Sequence, residues 1–166
     1  MGMNLFGPVI FIDDEEEVRL SGAQALEIEG FEVIPLDSAK AALDYISVTW
    51  PGIIVTDVKM PFINGLELLH RTVAIDKDLP VVLITGHGDV SMAVDAMHAG
   101  AYDFIEKPAD MERLIDVVRR ASEKRNLILE NRALRMAREP DSEIERRIMG
   151  LAPSMLEVRK TLIDIA

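Results

Sequence analysis

Short, almost wholly apolar runs alternate along this chain with longer stretches whose apolar residues recur every three or four positions. Val9-Ile10-Phe11-Ile12, Ile53-Ile54-Val55-Thr56 and Val81-Val82-Leu83-Ile84 read as strands buried on both faces. The pattern predicts strands over 8–12, 31–36, 52–56, 80–84 and 101–105. It predicts helices over 15–29, 38–48, 64–75, 88–99 and from 110 onward. The second strand carries Glu32 and Pro35, which suits a sheet edge. Gly30 and Gly100 stand where the first and fourth helices should end. Connections this short demand right-handed crossovers. Residues 6–109 are therefore expected to form a five-stranded, parallel, doubly wound α/β domain.

The fifth helical pattern outruns that domain. Asp110 to Glu139 contains no glycine or proline, a stretch that as a helix would be about 45 Å long at about 1.5 Å per residue. Leu114, Val117, Val118 and Ala121 can dock on a sheet, whereas Leu127, Asn131 and Leu134 form a short seam flanked by Glu130, Arg132 and Arg135. That spacing fits a coiled coil with a polar residue setting register, and fits a solvated helical linker as well. Pro140 and Asp141 are expected to end the helix.

Composition narrows the class. With 49% hydrophobic residues and few aromatics, the core must be aliphatic, and the lack of cysteine excludes disulfides and thiolate metal sites. No apolar run approaches a membrane span and the first residues lack the basic flank of a signal peptide, so a cytoplasmic protein without a membrane partner is expected. Residues 1–109 hold 18 acidic and 6 basic side chains, a net charge of −12, which repels nucleic-acid phosphates. Residues 110–166 hold 11 acidic and 12 basic, as a salt-bridged helix would.

The strand ends carry the chemistry. Asp13 and Asp14 follow the first strand, Asp57 the third, Thr85 the fourth, and Lys107 the fifth. In open α/β sheets that edge is where ligands bind. Asp57 does not cap a helix, and an aspartate there can take a phosphoryl group as an acyl phosphate. Asp14, followed by Glu15, Glu16 and Glu17, fits a helix cap as well as a metal site. Two adjacent aspartates aimed at a third, however, repel unless a cation lies between them, and the set suits Mg²⁺. Lys107 would neutralise a transferring phosphoryl group, and Pro108 permits a cis bond that would aim it inward. Thr85 offers a hydroxyl to phosphoryl oxygens, and Tyr102 reads as a half-buried edge aromatic. His70, His87 and His98 lack metal-ligand spacing, with His87 at the rim.

Asp13-Asp14, Thr56-Asp57-Val58-Lys59-Met60-Pro61, Asn64-Gly65, Thr85-Gly86-His87 and Lys107-Pro108 follow one another in an order and spacing that resemble the receiver domain of two-component response regulators. Ile84-Thr85-Gly86-His87-Gly88-Asp89-Val90 and Gly100 to Pro108 resemble its NtrC class. The resemblance implies a receiver over residues 1–120 with strand order 2-1-3-4-5, then a dimerisation helix over 110–139. Residues 148–155 resemble the entry to a sigma-54-activating ATPase domain, so 140–166 would be a linker and the start of that domain. Asp57 would accept phosphate from a sensor histidine kinase. Asp14, Asp57 and the Lys59 carbonyl would ligate Mg²⁺, with Asp13 acting through water. Lys107 would pair with the phosphoryl group, and Thr85 with Tyr102 would form the switch. The chain lacks a GxxxxGK[ST] loop and a helix-turn-helix. Contacts with sigma-54 RNA polymerase and DNA would then belong to missing C-terminal domains, and the chain would be an N-terminal fragment pairing as a homodimer through 110–138.

The resemblance implies a signalling domain that catalyses its own phosphorylation and dephosphorylation, not an enzyme with an external product. An aspartyl phosphatase of the haloacid dehalogenase kind would place DxD after the first strand; Ile12-Asp13-Asp14-Glu15 does not. A flavodoxin-like FMN carrier needs a glycine- or hydroxyl-rich loop there, where Asp13 to Glu17 would repel phosphate. A receiver-like dimerisation module without phosphotransfer is argued against by the complete residue set.

Overall fold

The computed structural model describes residues 6–86, 90–107 and 110–150, the side chains of 90 and 138–150 excepted. Five strands, β1 (Val9–Ile12), β2 (Val33–Leu36), β3 (Ile53–Asp57), β4 (Val81–Thr85) and β5 (Asp103–Glu106), form one sheet in the order β2-β1-β3-β4-β5. Every pairing is parallel. Helices α1 (Glu16–Ile28), α2 (Ala39–Ala42), α3 (Gly65–Ile75), α4 (Val90–His98) and α5 (Met111–Gly150) link and extend the strands. β1, β3 and β4 are buried throughout, whereas β2 at the edge is only partly covered. This is the doubly wound sheet that the sequence pattern predicts.

Alternation along the strands divides the core between two faces. Ile10, Ile12, Ile54, Val81 and Leu83 face one cluster, which includes Leu68 and Leu69 of α3 and Ala96 of α4. Val9, Phe11, Ile53, Val55, Val82 and Ile84 face the other, with Leu26 of α1 and Leu114, Val117 and Val118 of α5. Gly30 and Gly100 end α1 and α4 with φ of 97° and 109°, a left-handed conformation that glycine adopts without steric cost.

The structure departs from the expected elements in two places. The second helix spans only Ala39–Ala42, not 38–48. The carbonyls of Ser47 and Trp50 turn instead to the Arg125 guanidinium, at 3.3 Å from Nη2 for Ser47 and 2.8 Å for Trp50. A tertiary partner has replaced the helical one, in a segment rich in residues with weak helix propensity. The fifth helix continues through Pro140 to Gly150. Proline removes its own N–H bond and crowds the preceding turn, but the flanking Leu134 to Arg138 and Glu143 to Arg147 are mostly good helix formers.

The chain divides into two compact units, Met1–Asn126 and Leu127–Ala166. The first extends past residue 120 because α5 keeps burying side chains there. Ala121 and Arg125 are fully buried. Arg125 donates from Nη1 to Asp76 Oδ2 at 2.8 Å and from Nε to the Trp50 carbonyl at 3.0 Å. Breaking such a pair leaves a buried charge without compensation. Arg125→Ala should destabilise the domain by about 3–5 kcal/mol, read as a lower midpoint in urea denaturation.

Candidate functional site: an acidic pocket at the carboxyl edge of the sheet

The parallel strands β1, β3 and β4 end side by side, and so do their terminal polar residues. Asp57 closes β3 in register with Ile84, and Thr85 follows on β4 in register with Glu106. Lys107 is tied in by its backbone N–H, which donates to the Thr85 carbonyl at 2.6 Å. Its ammonium reaches Asp13 Oδ2 at 3.3 Å and Asp57 Oδ2 at 3.2 Å. Both carboxylates are nearly buried, at 2% and 7% exposure.

Asp13 is oriented from two sides. Its Oδ1 accepts the Glu15 N–H at 2.9 Å, and its backbone carbonyl accepts Arg19 Nη1 at 2.9 Å. Glu15, not Asp14, occupies the N-cap position of α1, and no side chain caps that helix. Asp14 is left exposed at the mouth of the pocket. Burial pushes the Asp13 carboxyl above its ordinary range, and Asp57 adds to the rise against the lowering effects of the Glu15 N–H and Lys107. Burial acts against the Lys107 ammonium, yet Asp57 and Asp13 outweigh it and hold that group above the usual lysine value.

One oxygen from each of Asp13, Asp14 and Asp57 can lie within 4.8 Å of the others. Two buried carboxylates and one solvent-facing carboxylate, set against the Lys107 ammonium, leave negative charge in excess. This donor set fits a hard divalent cation that keeps several waters, as Mg²⁺ does. Lys59 and Asp14 line one side of a cavity of about 480 Å³ with Met60, Pro61, Asn64 and Met92.

α3 begins against this pocket. Asn64 is the N-cap of α3, and its side chain accepts the Glu67 N–H at 2.8 Å. A Cβ on Gly65 would lie 2.4 Å from the Asp57 carbonyl oxygen, so only glycine lets the helix start so close. Phe62, just before, has φ of 68° and a wholly exposed ring. Such a backbone is strained for a bulky residue.

Tyr102 does not sit with Thr85. Its N–H donates to the Val81 carbonyl at 2.8 Å, four residues back along β4, or about 13 Å at about 3.3 Å per residue. It packs toward the α5 face with the Lys124 ammonium 5.7 Å from its ring centroid. The aromatic that shares the Thr85 face is Phe104, in register with Leu83, which sequence reading passed over. Its signal is its place three residues before Lys107, but strand register is needed to use it. Nor does the local pattern mark Arg19 or Arg125. His87 and Pro108 lie outside the described residues.

A buried aspartate at a strand end, two further carboxylates and a lysine make a donor set suited to a divalent cation and an anionic group. Residues 9–119 match the response regulator receiver domain, and the chain belongs to that family, in its NtrC class. It is 45% identical to the C4-dicarboxylate transport transcriptional regulatory protein DctD of Pseudomonas aeruginosa, over 95% of this chain and 34% of that protein. The Rhizobium meliloti DctD is 46% identical with the same coverage. The chain thus spans about a third of the length of these relatives. The crystal structure of the receiver domain of NtrX from Brucella abortus superposes with a TM-score of 0.64 at 39% identity, covering 69% of this chain and 98% of that one.

Mg²⁺ should stabilise the domain by about 2.7 kcal/mol at about 100 times its Kd. Asp57→Asn should lose this gain, as calorimetry would show. Without a divalent ion, the raised Asp13 value means the folded domain holds its proton to higher pH than the unfolded chain. Stability should then fall as pH rises from 3.8, the ordinary value, through the raised one. Asp13→Asn should flatten that slope. Phe62→Gly should stabilise the fold by about 1 kcal/mol through relief of the left-handed backbone, measured by denaturant melts.

Proposed function

We propose that Asp57 is the phosphoacceptor of a two-component relay, supplied by the phosphohistidine of a sensor histidine kinase. The observation that carries this is the Lys107 ammonium held between the buried carboxylates of Asp57 and Asp13. An Asp57 carboxylate oxygen attacks phosphorus; a P–O bond forms as the P–N bond breaks, and the imidazole keeps the bonding pair and takes up a proton. Mg²⁺, when bound, neutralises the phosphoryl oxygens. Asp14, Asp57 and the Lys59 carbonyl would hold it directly, and Asp13 through water. Lys107 meets the added charge, about −1.5 to −2 for a phosphoryl group.

Thr85 lies at the adjacent strand end, buried to 2% exposure. Its hydroxyl would move onto the phosphoryl oxygens. Phe104, on the same face, is the better-placed switch partner than Tyr102. Such a local change can bias a two-state element, here the segment from Thr85 through α4. Val94 and Met97 on α4 are exposed, as are Leu127 and Leu134 on the later part of α5. We read 110–138 as a homodimer seam whose pairing changes with phosphorylation. The output would be control of a sigma-54-dependent ATPase, with polymerase and DNA contacts made by parts of the relatives' length that this chain does not cover. No described helix is long and apolar enough to cross a membrane, and a cytoplasmic location suits this role.

Acetyl phosphate with Mg²⁺ should add one phosphoryl mass to the wild type and none to Asp57→Asn. Native mass spectrometry of the same samples should show a changed monomer–dimer ratio only in the modified wild type. A wild type that never gains mass would leave the dimerisation module without phosphotransfer as the better reading.

A further inference from the structure

α3 touches the phosphoacceptor at one end and α5 at the other. At its start the Gly65 N–H donates to the Val58 carbonyl at 2.9 Å, and Gly65 lies against the Asp57 carbonyl with no room for a side chain. At its end Asp76 forms the C-cap, its N–H bonded to the Thr72 carbonyl at 2.8 Å and its Oδ2 to Arg125 at 2.8 Å. Between them Leu68, Leu69 and Thr72 are fully buried. Eleven residues make a rod of about 16 Å at about 1.5 Å per residue. A rod with a close-packed side cannot absorb a displacement by bending; it passes it on.

The joint at the far end is well built. Arg125 is wholly buried on α5, and its guanidinium bonds to Asp76 and to the carbonyls of Trp50 and Ser47. None of these four bonds comes from Thr85 or Phe104. We propose that α3 is a second line from Asp57 to α5, independent of the Thr85 segment, and that Arg125 is the positioning residue that reads it. This rests on the phosphoacceptor reading of Asp57. When the Asp57 to Gly65 backbone adjusts to the phosphoryl group, α3 shifts as one body. Asp76 then moves the Arg125 guanidinium against the Trp50 carbonyl.

The chain contains one tryptophan, so its emission reports on the segment whose backbone forms this joint. Trp50 precedes β3, whose length alone sets it about 13 Å or more from Asp57 at about 3.3 Å per residue. A change in emission is therefore not direct quenching at the pocket.

The test is the emission of Trp50 before and after acetyl phosphate with Mg²⁺, with intact mass read on the same samples. The wild type should gain one phosphoryl mass and shift its emission. Asp76→Asn and Arg125→Lys should gain the same mass and lose the shift. Mass gain with unchanged wild-type emission, or a full shift in both joint variants, overturns the proposal while leaving the phosphoacceptor reading intact. No mass gain in the wild type overturns both. Should the joint variants not fold, hydrogen exchange decides on the wild type alone. The amides of Gly65 to Asp76 must change protection on phosphorylation, and unchanged protection overturns the proposal.

Discussion

The Lys107 ammonium between two buried carboxylates is the interaction on which the site depends. Asp13 and Asp57 come from neighbouring strands and are both nearly excluded from water. Without a cation, each would raise the energy of the other's charged form. Lys107 settles this only in part, because Asp14 adds a third carboxylate at the open side. The remaining deficit of positive charge would suit a divalent ion.

The sheet exists to keep those groups in place. β1, β3 and β4 are covered on both faces by aliphatic side chains, and their ends cannot drift apart without opening the core. Interiors packed at this density deform little. Small changes at the strand ends must therefore be taken up by helices and loops that begin there. α3 is one of these, with Gly65 pressed on the Asp57 backbone.

Much of this was legible in the chain because it rests on local order. Hydrophobic runs of four or five residues fixed the strands to within a residue or two, and polar residues closing them marked the site edge. Asp13, Asp14, Asp57, Thr85 and Lys107 gather at one edge of the sheet, where parallel topology puts every strand's carboxyl end. Tyr102 misled because an aromatic beside a strand gives no sign of its level along it. Only the pairing of β4 with β5 places it by Val81 and puts Phe104 nearer Thr85. The second helix was overestimated for a similar reason: its later carbonyls serve Arg125, 75 residues away in the case of Trp50.

What the sequence determined by itself was the alternation of buried strands with amphipathic helices and the set of charged groups at their ends. Both follow from the period of side chains along the backbone and need no distant partner. Tertiary structure alone decided which carboxylate is buried and which is open, and which aromatic shares a face with Thr85. It also decided that Arg125 is a buried joint rather than one more charge on a solvated helix. Each of these depends on desolvation and register between segments far apart in the chain, which no local pattern records.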